Sequence, residues 1–250
     1  MGGKIAVKRE PPLCWITLNR PEQLNALDME MLGELEETMK ELEEDREVSV
    51  VVVNGAGKAF CAGADIKRLV DFDMEGALSI SRSTQRVAGM MESSRKVYIA
   101  EINGPAIGGG LEIAMGADMR IAAKAAKLGL AEVNIGLIPA GGGTIRLPRL
   151  VGMGRAREMM LLGKAIGADE ALRMGLVNMV CDPEALDAEA RKIAVEISKK
   201  APLAVMSIKL CRNPSEDLES GLFSFLINTS DAREGMQAFI ERRAPKFTGR

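Results

Sequence analysis

The chain has 250 residues, 27% of them charged, and a formal net charge of -2. That length can bury a large core in one compact subunit, and near-neutrality gives the whole molecule no pull toward nucleic acid or an anionic membrane. With no histidine and four widely spaced cysteines, Cys14, Cys61, Cys181 and Cys211, composition excludes Ser-His-Asp triads, imidazole bases, Cys-X-X-Cys redox pairs and most zinc sites; acid-base work falls to carboxylates, lysines, Tyr98 or cysteine.

The opening MGGKIAVKRE is too charged for a secretory signal, and Ala6 breaks the myristoylation pattern. No apolar run reaches a membrane-spanning length, so a cytoplasmic protein with free thiols is expected. Residues 4–9 and 13–19, β-rich and separated by Pro11 and Pro12, predict a hairpin. Asp28 is placed to cap a helix over 28–45 with an acidic outer face. VSVVVVN, 48–54, predicts a fully buried strand and leads into the small-residue loop GAGKAFCAGAD; a helix over about 74–93 follows. VYIAEIN, 97–103, is the next buried strand and delivers the chain to Gly108, Gly109 and Gly110. Strand, small-residue loop and helix thus occur twice, which predicts an α/β fold with the two loops side by side at strand carboxyl ends, where open α/β sheets bind ligands.

DMRIAAK, 118–124, predicts another strand. Beyond residue 153 the pattern is mostly helical, at 153–163, 168–174, 183–200, 202–212 and 216–241, punctuated by Pro183, Pro202 and Pro214. Trp15, Met90 and Met91 read as core. The expected division is a catalytic body over 1–190 and a helical C-terminal region over 191–250 that packs against a neighbour.

The stretch 103–143 concentrates the chemistry. Three glycines open an apolar helix whose first amides are unpaired and lie at its partially positive end, a place suited to an anion. Glu112 lies in that helix's first turn, and Glu132 sits among apolar neighbours in LAEVNIG. A carboxylate in apolar company requires a reason. Each also has a plain reading: Glu112 as a residue complementing the helix dipole, Glu132 as a surface loop residue, the glycines as a tight turn.

The stretches LNRPEQLNAL (18–27), KAFCAGADIK (58–67), INGPAIGGGLEIAMGAD (102–118), LGLAEVNIGLIPAGGGTIRLPRLVG (128–152), ADEALRMGLVN (168–178) and EGMQAFIERRAPKF (234–247) resemble, in order and spacing, those of the crotonase, or enoyl-CoA hydratase/isomerase, superfamily. The resemblance covers nearly the whole chain. It implies a spiral of ββα units with a helical C-terminal trimerisation region, in a homotrimer or homohexamer, and an acyl-CoA thioester as substrate. It implies no metal and no cofactor, coenzyme A being part of the substrate.

By the same resemblance the thioester oxygen is held by two backbone amides, mapped to Ala62 in CAGAD and Gly109 in GGG, and Glu112 and Glu132 occupy the two carboxylate positions of the hydratases. The implied reaction is syn addition of water to a trans-2-enoyl-CoA, Glu112 activating the water and Glu132 delivering the proton to the α-carbon. Substrate-binding positions implied are Ala26 and Leu27, at the adenine end through their backbone; Ala64, Asp65, Ile66 and Lys67 of AGADIK; Gly108; and Pro139 and Ala140. Asp65 reads as a turn residue rather than a catalyst. Candidates for the CoA phosphates are Arg20, Lys67, and Lys246 or Phe247 of an adjoining subunit. Two positions depart from the family pattern: Ala140 stands at a usual glycine and Ile145 at a usual glutamine.

Alternative activities are an enoyl-CoA isomerase, against which the second carboxylate counts, and an RNA-binding member of the superfamily. The latter relies on a lysine-rich first helix, whereas the helix over 28–45 is dominated by glutamate and aspartate, which repel phosphate. Family branches that use a histidine are excluded by composition.

Overall fold

The computed structural model describes residues 3–211 and 215–250. Strands β1 (Ile5–Glu10), β2 (Leu13–Leu18), β3 (Val50–Gly55), β4 (Val97–Ile102), β6 (Met119–Ala123) and β9 (Met179–Cys181) form one sheet in the order β1-β2-β3-β4-β6-β9. Only the β1–β2 hairpin is antiparallel; the other neighbours are parallel. A small second sheet joins β5 (Ala106–Ile107), β7 (Lys127–Gly129) and β8 (Ile166–Gly167).

The valine run is a strand because both of its faces are covered. Val51 and Val53 enter a core with Cys14, Ile16, Tyr98 and Ala100, whereas Val50 and Val52 join Trp15, Val97, Ile99 and Ile121 on the other face. Helices α1 (Met29–Glu44) and α3 (Met74–Ser93) supply the first layer, and α8 (Leu186–Ser198) covers the second through Leu186, Ala190 and Ala194. Each fully buried valine contributes roughly 1.5–3 kcal/mol. The period-two alternation of β4 also carries Glu101 into the layer under α8, where it is 5% exposed.

Helix α1 begins where Asp28 accepts a hydrogen bond from the Met31 amide at 2.9 Å, and it buries Met31, Leu32, Leu35, Met39 and Leu42 along one stripe. The expected division at residue 190 falls within α8, which packs on the sheet; three more helices follow Ser198, the first of them still reaching the sheet's second layer through Val205. They are α9 (Pro202–Leu210), α10 (Glu216–Leu226) and α11 (Ser230–Glu241). The single helix expected over 216–241 is therefore two: Thr229 caps α11 by accepting from the Ala232 amide at 3.1 Å. The break expected at Pro214 lies outside the described residues. No helix among those described is long and apolar enough to cross a membrane.

The loops after β3 and β4 lie side by side. Cys61 pairs with Ala106, the Cys61 amide donating to the Pro105 carbonyl at 3.1 Å and the Ile107 amide to the Cys61 carbonyl at 3.0 Å. Both loops reach the carboxyl end of the parallel sheet, and β5 ties the second of them to β7.

Candidate active site

Where those two loops meet, glycine is required by contact. A β-carbon on Gly110 would stand 2.2 Å from the Cys61 carbonyl oxygen, so helix α4 (Gly109–Ala114) approaches the neighbouring loop this closely only without a side chain. Gly63, at φ +97, turns the first loop between Ala62 and Ala64. The Ala62 amide then donates to the Leu24 carbonyl at 2.9 Å, so the assignment of Ala62 as an oxygen-binding donor is corrected: that N–H is already engaged within the fold. The Ala64 and Gly109 amides have no acceptor among the described residues, both residues line the cavity, and a β-carbon on Gly109 would lie 3.8 Å from the Ala64 nitrogen. Two neighbouring donors thus open on one space. They can polarise an oxygen placed between them without reorganising.

The two glutamates flank the same space. Glu112, on α4, is 3% exposed, and its Oε1 accepts from the Gly143 amide at 2.7 Å. Burial pushes its pKa up to about 7, and the charge of Glu132 adds to the rise; the Gly143 and Gly141 amides and the Arg146 cation act the other way. Glu132 opens a single 3-10 turn, Glu132–Ile135, and its pKa is likewise raised by burial. Its Oε2 is buried with no hydrogen-bond partner among the described residues. A β-carbon on Gly108 would stand 2.8 Å from Glu132 Oε1, and one on Gly141 would stand 2.5 Å from Glu112 Oε2. Glycines therefore make room for both carboxyl groups. Since Glu112 feels the charge of Glu132, the two titrate as a pair.

The cavity between them has a volume of about 410 Å³. Leu27, Ala64, Ile66, Gly108 and Ala140 line it together with the carboxylates, and Leu69, Ala77, Ile80, Ser81 and Thr84 supply much of the remaining wall. The wall is largely apolar, with its polar groups concentrated at one place, the form of a small-molecule site. Ala140 is fastened to α3, its carbonyl accepting from Ser81 Oγ at 2.8 Å and Gln85 Nε2 at 2.7 Å.

Other sequence-derived candidates lie outside the wall. Pro139 is buried beneath the turn, close to Gly143. Ala26 gives its carbonyl to Arg20 Nη1 at 2.5 Å, and Asp65 pairs with Arg20 Nη2 at 3.3 Å. Arg20, 6% exposed and also paired with Asp28 at 3.2 Å, is an internal tie of the loop framework rather than a surface phosphate ligand. Lys67, on α2 (Ile66–Leu69), and Lys246 are exposed. Ile145 is 54% exposed.

Sequence reasoning missed the Gly141 and Gly143 amides facing Glu112, and Arg146, which pairs with Glu92 and donates to the Gly141 carbonyl. The only signal available for Arg146 was a charge between Ile145 and Leu147 at the start of an apolar helix. No cluster of three or more His, Cys, Asp or Glu side chains among the described residues is arranged to hold a metal ion.

The sequence model of the Enoyl-CoA hydratase/isomerase family matches residues 8–250. The chain is 39% identical to a crotonyl-CoA hydratase of Syntrophomonas wolfei subsp. wolfei, over 97% of each chain. It is 42% identical to an (E)-benzylidenesuccinyl-CoA hydratase of Thauera aromatica, over 95% of this chain and 96% of that one. Among solved structures, an enoyl-CoA hydratase from Bacillus anthracis superposes with a TM-score of 0.94 at 38% identity, covering 99% of this chain and 100% of that one.

Proposed function

The chain belongs to the enoyl-CoA hydratase/isomerase family, and from that membership we propose that it works as an enoyl-CoA hydratase, adding water reversibly to a trans-2-enoyl-CoA to give the 3-hydroxyacyl-CoA. The observation that carries this reading is the pair of carboxyl groups, the buried Glu112 and the half-buried Glu132, on a cavity that also holds two acceptor-free amides, those of Ala64 and Gly109.

The thioester oxygen sits between the Ala64 and Gly109 amides, which draw electron density from the conjugated double bond and stabilise the enolate that forms as water attacks C3. Glu112, ionised and oriented by the Gly141 and Gly143 amides, accepts a proton from the attacking water as its oxygen bonds to C3. Glu132 delivers a proton to C2 as the enolate collapses. Its buried, partnerless Oε2 is the oxygen on which a proton is favoured, because no donor stabilises the charged form there. The net transfer leaves the proton on Glu112 instead of Glu132, and exchange through water between the two restores the starting state. In dehydration the roles run backwards.

We place the acyl chain along the wall formed by Ala77, Ile80 and Thr84 of α3. Lys67, exposed beside the cavity residue Ile66, is assigned to the CoA phosphates together with Lys246 from an adjoining subunit, and Phe247 of that subunit to the adenine end. We assign the chain to a homotrimer or homohexamer, a reading supported by the apolar surface of the C-terminal helices, where Phe239 is 86% and Ile240 73% exposed.

The test is the loss of enoyl-thioester absorbance with crotonyl-CoA, with product analysis, in the parent and in Glu112→Gln and Glu132→Gln. Hydration by the parent and a fall in kcat of about 10²–10⁴ in each variant are expected. Double-bond migration without water addition would overturn the hydratase assignment in favour of an isomerase.

A further inference from the structure

We infer that Arg146, clamped by Glu92, is a positioning residue that fixes the turn cradling Glu112 and sets a positive charge behind that turn. This rests on the hydratase reading, in which Glu112 must accept a proton from water.

Arg146 belongs to α5 (Gly143–Val151), and its side chain is 11% exposed. Its Nε and Nη2 donate to the two carboxylate oxygens of Glu92, on α3, each at 3.0 Å, a bidentate geometry that fixes the plane of the guanidinium. The remaining nitrogen, Nη1, donates to the Gly141 carbonyl at 3.2 Å. One cation therefore joins the helix that forms the acyl wall to the turn whose amides face the catalytic carboxyl. The turn is shaped around it: Gly142 sits at φ +113, and a β-carbon there would lie 1.9 Å from Arg146 Nη1.

A mostly buried ion pair is a poor stabiliser when it serves the fold alone, because desolvation offsets its attraction. Here the cation also acts on Glu112. The titratable groups acting on that carboxyl are Glu132, which opposes its ionisation when charged and not when it carries the proton, and Arg146 from α5, which favours it, with the opposite charge of Glu92 on α3 behind Arg146. Against the turn beside Glu112, α3 brings Ser81, Thr84 and Gln85, all uncharged. Arg146 does not line the cavity, so it works through Glu112 and the turn rather than on substrate.

A brace and an electrostatic device differ in their response to removing either partner. Arg146→Gln and Glu92→Gln both break the pair, and a brace would lose activity with no change in the shape of the pH profile. If Arg146 tunes Glu112, the two variants diverge. Arg146→Gln removes the favourable cation and moves the acid limb of kcat/KM for crotonyl-CoA to higher pH. Glu92→Gln leaves the cation less neutralised and moves that limb down. Arg146→Lys, which keeps the charge and loses the fork, retains the parent's acid limb while kcat falls several-fold and KM changes little.

The same direction of shift in Arg146→Gln and Glu92→Gln, or no shift in either, overturns the inference while leaving the hydratase assignment standing. A parent enzyme without hydratase activity overturns both. Thermal melts of the three variants show which are folded, and Glu92→Gln together with Arg146→Lys decides the question if Arg146→Gln is not.

Discussion

The Gly143 amide donates to Glu112 Oε1 at 2.7 Å, across 31 residues of sequence. This one bond joins α4 to the first residue of α5, and it exists because Gly141 and Gly143 leave space for the carboxyl group.

Gly141→Ala tests that space. Its β-carbon would stand 2.5 Å from both Glu112 Oε2 and Thr84 Cγ2. Displacing the carboxyl misaligns the attacking water, and a loss of about 10²-fold in kcat is expected from an error of around 1 Å. Because Gly141 has no left-handed conformation to lose, the thermal midpoint should fall by only a few degrees. Activity within a factor of two of the parent would show that the carboxyl's placement does not depend on this glycine.

Gly109 separates the amide from the side chain. Proline is compatible with the first position of a helix, so Gly109→Pro removes the N–H while retaining α4; kcat should fall by about 10²–10³, the usual effect of deleting one oxyanion donor. Gly109→Ala keeps the N–H, and its β-carbon meets the flexible end of Leu27 at 3.0 Å. It should retain most of the activity. Equal activity in the two variants, both folded by circular dichroism, would exclude this amide as a donor.

Glu101 makes stability depend on pH away from the cavity. Burial, and secondarily the charge of Asp187, pushes its pKa up to about 7 from 4.5, and Asn54 Nδ2 meets its Oε2 at only 3.5 Å. Between those values the native state holds a proton that the unfolded chain has lost, so its contribution to stability declines as pH rises through that window, by about 3 kcal/mol in all. Glu101→Gln removes the decline. Urea unfolding should show the variant gaining on the parent by that amount between pH 4.5 and pH 8. A difference between variant and parent that does not vary with pH would contradict the buried, protonated carboxyl.

The C-terminal helices predict assembly. Phe223 on α10 and Phe239 and Ile240 on α11 are 68%, 86% and 73% exposed, and α10 buries no residue within the subunit. Phe239→Glu combined with Ile240→Lys should convert a trimer or hexamer to monomers in sedimentation velocity, since charges in a desolvated interface are disfavoured by several kcal/mol. A parent already monomeric at micromolar concentration would refute the assembly.

The sequence by itself determined the elements whose pattern has one physical solution. The buried strands Val50–Gly55 and Val97–Ile102, the stripe of α1 behind the Asp28 cap and the extent of Met74–Ser93 follow from apolar runs, periodicity and capping, which are local. The break after Leu226 was also local: Thr229 ahead of Asp231 is a cap signal, overridden by the apolar run on either side. Glu112, Glu132 and Gly109 were legible because a carboxylate among apolar residues and a glycine triplet at a helix start are uncommon without a purpose.

Tertiary structure alone decided the rest. Whether the Ala62 or the Ala64 amide is free depends on Leu24, nearly forty residues earlier, reaching one of them. That Arg20 is an internal tie and not a phosphate ligand depends on Asp28 and Asp65 converging on it. That Arg146 stands behind Glu112 depends on Glu92 arriving from another helix. In each case the partner is remote in sequence, and hydrogen bonds and ion pairs between remote residues leave no period or spacing in the chain that makes them.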